Sequence, residues 1–246
     1  RFRLLQALPA RPAQVAVAAD APVVFFFPAH DEEAAVGGVV RRVPREVCGR
    51  RVVPLVIDDG SEDATAVRAA AAGAEVVSMP RNMGLGAAVR RGLAEGVARG
   101  AAVVVFADAD GEYAPEELEL LVAPVLAGAA DYVVGSRFAG QIEHMRPHRR
   151  LGNLVLTAAL RVVAGRPITD GQSGYRAFSP AAAAAAEVVH DYNYAQVLTL
   201  DLLAKGFCYA EVPISYHFRE TGSSFIRLGR YLRRVGPAVH RELNTP

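Results

Sequence analysis

Short apolar runs alternate along this chain with longer segments whose apolar residues recur at helical spacing. Val103-Val104-Val105-Phe106 is one such run and Val23-Val24-Phe25-Phe26-Phe27 is another. Runs this short and this apolar read as strands buried on both faces of a parallel sheet. Val52 to Ile57 is a third; Pro54 lacks a backbone donor, so this strand cannot be fully paired there. Glu75 to Ser78 and Asp131 to Gly135 read as further strands. Helices are expected from the acids after His30 to about Val43, and over Glu62 to Ala72. Two more run from the Arg81–Ala88 segment to about Arg99 and from the Pro115 region, with proline near the first turn, to about Leu126. Four or five β-α units before residue 138 imply a mostly parallel sheet with right-handed crossovers.

The pattern changes after residue 138. A basic stretch, Arg146 to Arg150, leads into apolar Leu151 to Ala164, interrupted by Asn153 and Arg161. Thr169 to Phe178 reads as a polar, glycine-punctuated loop. Pro180 opens an alanine-rich helix, Tyr194 to Lys205 reads as another, and Phe207 to Phe218 as a strand with Pro213 near an edge. In the tail, Phe225, Leu228, Leu232, Val235 and Val239 recur on one helical face, with Arg227, Arg230, Arg233 and Arg234 on the other. That pattern fits an interfacial helix on anionic lipid. It also fits a helix packed on its own domain, and Gly229, Gly236 and Pro237 interrupt it.

Acids gather where the apolar runs end, and ligands of open α/β sheets bind at the carboxyl ends of strands. Asp108 and Asp110 follow the run at Phe106, one residue apart, and strand alternation would point both the same way. Like charges that close call for a cation between them, and Mg²⁺ binds through one or two carboxylates plus substrate phosphates. The plainer alternative is a solvated turn whose first acid caps the next helix. Asp58-Asp59-Gly60-Ser61 ends another strand. A carboxylate there can accept a nucleobase N–H or a ribose hydroxyl, or it can cap a helix, a task open to Ser61 as well. Glu32 and Glu33 can serve the dipole of the first helix. Gly84 and Gly86 before a helix can bring backbone N–H groups to phosphate. They do not form a dinucleotide fingerprint, because Val89 stands where the third glycine belongs, and this disfavours a dehydrogenase.

In this order the landmarks resemble the family 2 glycosyltransferases of the GT-A fold, and within them the dolichol-phosphate mannosyltransferase group. The resemblance runs from about Val23 to Arg234. It implies an α/β GT-A fold with a mostly parallel central sheet flanked by helices. A single domain is expected over residues 22–223, with a nucleotide-sugar half (22–137) and an acceptor half (138–223). A flexible arm (1–21) precedes it and an amphipathic helix (224–246) follows. Pro28-Ala29-His30-Asp31-Glu32 resembles the first nucleotide-contacting loop. Asp59 of Asp58-Asp59-Gly60-Ser61 is expected at the base or ribose, and Asn82 and Gly84 beside the nucleotide. Asp108-Ala109-Asp110 resembles the metal-diphosphate motif, which implies Asp110 and Asp108, with Glu112 as a further candidate, as ligands of Mg²⁺ or Mn²⁺. Arg137, Ser173, Arg176, Arg219 and Ser223 fall in motifs on the acceptor side, where Arg176 serves either substrate or a salt bridge to its own loop.

The family inverts at the anomeric carbon, so one in-line displacement is implied. The donor the resemblance implies is a nucleoside-diphosphate sugar (GDP-, UDP- or dTDP-linked). With a hydroxyl acceptor Asp170 would be the general base. With a polyprenyl phosphate the acceptor is already ionised, and Arg137 and Arg219 would hold it. Two positions depart from the group: Asp31 replaces the usual Asn, and Glu112 stands where Gln is usual. Three readings follow: transfer to a polyprenyl phosphate at the membrane surface, the same chemistry on a soluble hydroxyl, and a non-catalytic nucleotide-sugar binding module.

Composition narrows the setting. The chain has 246 residues, of which 52% are apolar and 22% charged, enough for one α/β domain with an ample core. A net charge of +1 gives no case for nucleic acid. Cys48 and Cys208 form no metal or disulfide spacing, and this points to a reducing cytoplasm, with peripheral attachment to the inner membrane face through the tail. No run reaches the ~18 apolar residues of a membrane span. Arg1 to Ala21, rich in Ala, Pro and Arg, reads as a loose arm rather than a signal peptide.

Overall fold

The computed structural model describes residues 9–189 and 195–217. Its strands are β1 (Val23–Ala29), β2 (Glu46–Val47), β3 (Arg50–Asp58), β4 (Glu75–Ser78), β5 (Val103–Phe106), β6 (Tyr132–Ile142), β7 (Arg176–Phe178) and β8 (Tyr209–Tyr216). The helices are α1 (Val36–Arg41), α2 (Thr65–Ala71), α3 (Leu85–Ala98), α4 (Leu118–Leu126), α5 (Pro147–Ala164), α6 (Pro180–Ala185) and α7 (Ala195–Ala204). A 3₁₀ turn over Pro115–Glu117 leads into α4.

The sheet runs β3-β1-β5-β7-β6-β8. The pairings β1–β3, β1–β5, β3–β4 and β6–β8 are parallel, and β7 lies antiparallel between β5 and β6. The expected parallel core is present, with one reversed strand inside it. That strand matters for the site. Because β7 runs backwards, its amino end, and the loop before it, reach the edge where β5 delivers its carboxyl end.

Pro54 falls where its strand can tolerate it. On one flank of β3, β2 covers Arg50 and Arg51 and β4 covers Leu55 to Asp58, so Pro54 lies between the two partners. Its other flank pairs with Phe25 of β1. Pro213 likewise sits in β8, at the sheet's end. β6 is longer than the apolar run Asp131–Gly135 suggests and crosses residue 137, so both proposed halves share one strand.

Alternation along the strands divides the core into two layers. Phe25, Phe27, Val103, Val105, Val133 and Ala177 face one side, packed with Leu118, Leu121 and Val122 of α4. Val24, Phe26, Val104, Phe106, Val134 and Phe178 face the other, packed with Val89 and Leu93 of α3 and Leu198 and Leu202 of α7. Each large apolar side chain buried this way contributes about 1.5–3 kcal/mol. Aromatic pairs join strands across both layers: Phe25 stacks on Tyr175 with centroids 5.5 Å apart, and Phe106 on Phe178 at 5.8 Å.

The amino-terminal segment, read from sequence as loose, is tied down in its described part. Arg11 donates from Nε and Nη2 to the buried Asp131 carboxylate at 2.7 and 2.8 Å, and from Nη1 to the Gly128 carbonyl. Arg50 donates to the carbonyls of Ala18 and Ala21. The predicted amphipathic helix at 224–246, with Arg219 and Ser223, lies outside the described residues.

Candidate active site

The first loop leaves β1 through buried Pro28 and Ala29. Its acids do not cap α1, which begins only at Val36. They lace instead to the loop before α2. The Asp31 N–H donates to Ser61 Oγ and the Glu62 N–H to Asp31 Oδ1. The Glu32 N–H donates to Thr65 Oγ1 at 2.8 Å, and the Ala64 N–H to Glu33 Oε2. Asp31 takes a left-handed φ of 53° to do this, a conformation that Asp tolerates better than most residues. Between these loops His30 keeps Nε2 3.5 Å from Asp31 Oδ2, while its buried Nδ1 has no hydrogen-bond partner.

Asp59, only 3% exposed, accepts the N–H groups of Met83 and Gly84 at 2.7 and 2.8 Å. Asn82 Oδ1 also accepts from Gly84. The acid therefore sits at the start of α3, where a carboxylate suits the dipole. Of the N–H groups expected to meet phosphate at this helix start, that of Gly84 is already taken by Asp59. Gly60 is required here: its φ is +67°, and a β-carbon would stand 2.3 Å from the Arg81 carbonyl carbon. Asp58 Oδ1 accepts the Ser61 N–H, which completes the turn.

β5 ends at Phe106, so the pleat does not place Asp108 and Asp110; a turn does. Asp110 Oδ1 accepts the Glu112 N–H at 3.0 Å, an Asx turn with Gly111 at φ +81°. Ala109 between the acids is buried. Asp108 faces the acceptor-side loop directly, and a β-carbon on Gly174 would stand 2.6 Å from Asp108 Oδ2. The Gly174 N–H donates to Tyr113 Oη at 2.7 Å. Burial raises the Tyr113 pKa, so this hydroxyl stays neutral. Tyr113 thus joins the Asp108–Asp110 turn to the loop before β7. Among the described residues no three His, Cys, Asp or Glu side chains gather as a metal cluster. Two carboxylates at a strand end nonetheless match the way Mg²⁺ is held, with substrate phosphates completing its shell.

Glu112, expected as a further metal ligand, is paired with a cation of the protein's own. Both its oxygens accept from Arg149 of α5, at 2.8 and 3.0 Å. Burial works against the charge on Arg149, and Glu112 outweighs it, leaving the arginine pKa raised. A guanidinium on both oxygens already supplies the opposite charge that a cation would bring.

On the acceptor side Asp170 is fully buried and accepts four N–H groups: Arg137 N at 3.1 Å, Arg137 Nε at 2.7 Å, Arg137 Nη2 at 2.9 Å, and Gln172 N at 3.1 Å. Arg137 is 2% exposed and lies 5.3 Å from the Tyr216 ring centroid. Burial works against its charge, and the Asp170 carboxylate bonded to it more than offsets that, leaving the arginine pKa raised. The two residues expected to act separately, one as base and one as phosphate ligand, are a single buried ion pair. Arg176, expected at the acceptor, is likewise enclosed. It donates to Tyr132 Oη and to the carbonyls of Ser173 and Ala195. That is a structural duty, made of hydrogen bonds to a hydroxyl and to carbonyls rather than of the salt bridge that one of its sequence readings named. Ser173 is fully buried, its Oγ accepting the Tyr175 N–H.

Three contributors were not singled out from sequence. Glu211 of β8 accepts the N–H groups of Thr169 and Asp170 and the Tyr209 hydroxyl. Thr157 Oγ1 of α5 accepts the Gly171 N–H at 3.1 Å. Arg149 holds Glu112. Glu211 left a trace, a lone acid in an apolar strand; Arg149 was one cation in a basic run, and Thr157 left none.

Comparison with known proteins agrees with this architecture. The model of Glycosyl transferase family 2 matches residues 25–184. The polyprenol monophosphomannose synthase of Mycolicibacterium smegmatis is 34% identical over 217 residues, 81% of this chain and 78% of that one. The undecaprenyl-phosphate mannosyltransferase of Micrococcus luteus is 32% identical over 181 residues, 69% of this chain and 74% of the relative. Among solved structures, glucosyl-3-phosphoglycerate synthase from Mycobacterium tuberculosis, in complex with Mn²⁺, UDP and glucosyl-3-phosphoglycerate, superposes with a TM-score of 0.73 at 26% identity. The superposition covers 93% of this chain and 82% of that one. The chain belongs to glycosyltransferase family 2 and has the GT-A fold.

Proposed function

We propose that this glycosyltransferase is metal-dependent and inverting, and moves a sugar from a nucleoside-diphosphate sugar to a polyprenyl phosphate. The observation that carries the reading is the contact between the Asp108 carboxylate and Gly174. It brings the strand-end acids and the loop of Asp170 to one point at the sheet's edge. Asp108 and Asp110 would hold Mg²⁺ or Mn²⁺, whose charge offsets that of the leaving diphosphate. The first loop and Asp59 would flank the nucleotide. An acceptor phosphate oxygen then bonds to the anomeric carbon as the bond to the diphosphate breaks on the opposite face, and the nucleoside diphosphate leaves.

Two things favour the phosphate acceptor. The family relatives named above are polyprenyl-phosphate sugar synthases or transferases. A hydroxyl acceptor needs a base that presents a lone pair to substrate, and Asp170 is buried with four donors already on it. An ionised phosphate needs none, so Asp170 and Arg137 serve to shape the acceptor loop, and Arg219 remains the cation for the acceptor. The solved neighbour favours a second reading, a soluble phosphorylated acceptor such as phosphoglycerate.

The test incubates GDP-, UDP- and dTDP-sugars with Mg²⁺ or Mn²⁺ and either a short-chain prenyl phosphate or 3-phosphoglycerate. Metal-dependent, EDTA-sensitive product on the prenyl phosphate with inverted anomeric configuration is expected. Product on phosphoglycerate alone would install the second reading.

A further inference from the structure

Helix α5 buries little of itself. Only Thr157, Leu160 and Ala164 are fully covered. Leu151 is 64% exposed, Val155 59%, Val162 71% and Leu154 44%. With exposed Ala158 and Ala159 they fall within an arc of about 140° at ~100° per residue, one continuous aliphatic face. Exposed Arg150 and Arg161 follow one margin of that arc. The segment that carries the helix has ionised side chains of one sign. From His144 to Thr169 there are five arginines and neither Asp nor Glu.

We propose that the outer face of α5 is a docking surface for an anionic lipid bilayer. The charge chooses this occupant over two others. Arg149 is neutralised by Glu112, and a second copy would set the other four arginines against the same four, with no acid in either segment. The chain's own segment 225–246 carries five arginines and one glutamate, so it too would bring like charge. An anionic headgroup layer complements the arginines, and acyl chains accept the aliphatic residues. The inner side of the same helix is wired to both halves of the site: Arg149 holds Glu112, two residues past Asp110, and Thr157 Oγ1 accepts the Gly171 N–H beside Asp170. A bilayer against α5 therefore lies one helix away from the acceptor loop. The inference rests on the proposed lipid-phosphate acceptor and adds the surface that meets the membrane.

The chain contains no tryptophan, so Val155→Trp places a single reporter on the face. Phosphatidylglycerol-containing vesicles should shift its emission to the blue, and brominated acyl chains should quench it. Neutral phosphatidylcholine vesicles should do so about tenfold less, and high salt should weaken the response. Leu151→Glu with Val155→Glu, both at exposed positions, should lower partitioning onto anionic vesicles about tenfold while transfer to a short-chain prenyl phosphate in solution stays within twofold. Absence of a blue shift, or unchanged partitioning of the double variant, overturns the proposal. So does a blue shift that appears without lipid, whether it grows with protein concentration, as for a second copy, or vanishes in a chain ending at Ser223, as for the tail. Insertion without any transfer to prenyl phosphate supports this surface while sinking the acceptor reading; transfer without insertion does the reverse.

Discussion

Along β1, β3 and β5 the carboxylates are held by main-chain N–H groups, whereas around β6, β7 and β8 the most buried charges are held by each other. Asp58, Asp59 and Asp110 each accept backbone donors from their own turn or the adjoining loop. Asp170 pairs with Arg137 and Glu112 with Arg149. The first arrangement shapes loops while keeping negative charge at the strand ends, which suits a site that recruits a cation. The second cancels charge and locks distant segments together, which suits a loop that must stay placed. Replacements in the first region should therefore damage chemistry more than stability, and those in the second stability at least as much as chemistry.

The largest effect is expected at the first region. Asp110→Asn keeps the oxygen that accepts the Glu112 N–H, so the turn survives, but a carboxylate is lost. Turnover should fall about a thousandfold with the unfolding midpoint nearly unchanged, and EDTA should do the same to the unaltered enzyme. Turnover within tenfold of normal would remove the metal role from this residue. The matching change in the second region is Arg137→Ala, which leaves a buried carboxylate without its cation. Such losses cost about 3–5 kcal/mol, read as a lower denaturant midpoint. Replacing both partners, Arg137→Met with Asp170→Leu, should recover part of that stability and none of the activity. A single Arg137→Ala as stable as the parent would erase the distinction between the regions.

The same contrast explains what could be read from sequence. β1, β4 and β5 follow from apolar runs, and the acids of the first region announce themselves because they sit where those runs stop. β7 did not announce itself: three residues between Tyr175 and Ser179 have no period to detect, and only the sheet makes Arg176–Phe178 a strand. Nor does spacing disclose that Arg137 meets Asp170, 33 residues on, or that Arg11 reaches Asp131. Motif positions marked these residues as belonging to a site. Whether each faces substrate or another side chain depends on burial, which a local pattern does not carry. The placement of Asp108 and Asp110 was anticipated at the right edge for a wrong reason, since a turn rather than the strand's pleat sets them.

Asp59→Asn probes the first region more gently. An amide offers one oxygen where the N–H groups of Met83 and Gly84 use two, so one part-buried hydrogen bond is lost at a cost of about 1 kcal/mol. The loop over the start of α3 should loosen, and nucleoside-diphosphate affinity, measured calorimetrically with metal present, should drop about tenfold. An unchanged affinity with the stability loss intact would confine Asp59 to a structural part.

The smallest effect is expected from Glu112→Gln, and it decides which region Glu112 belongs to. The residue follows the Asp108–Asp110 turn in sequence, which suggests metal, but its side chain is committed to Arg149, which suggests the second region. Gln preserves shape and one acceptor while removing the charge. If the carboxylate serves only to hold α5, the remaining hydrogen bond keeps most of the contact. Arg149 is more than a third exposed, so water replaces much of what is lost and the stability cost stays near ~1 kcal/mol. Turnover should then remain within about threefold of the parent, and the metal concentration giving half-maximal rate should not move. A metal ligand behaves otherwise: losing its charge would raise the metal requirement and depress turnover by about a hundredfold or more. A titration of Mn²⁺ against rate for the two proteins separates these outcomes, and a shifted midpoint would return Glu112 to the metal site despite its pairing with Arg149.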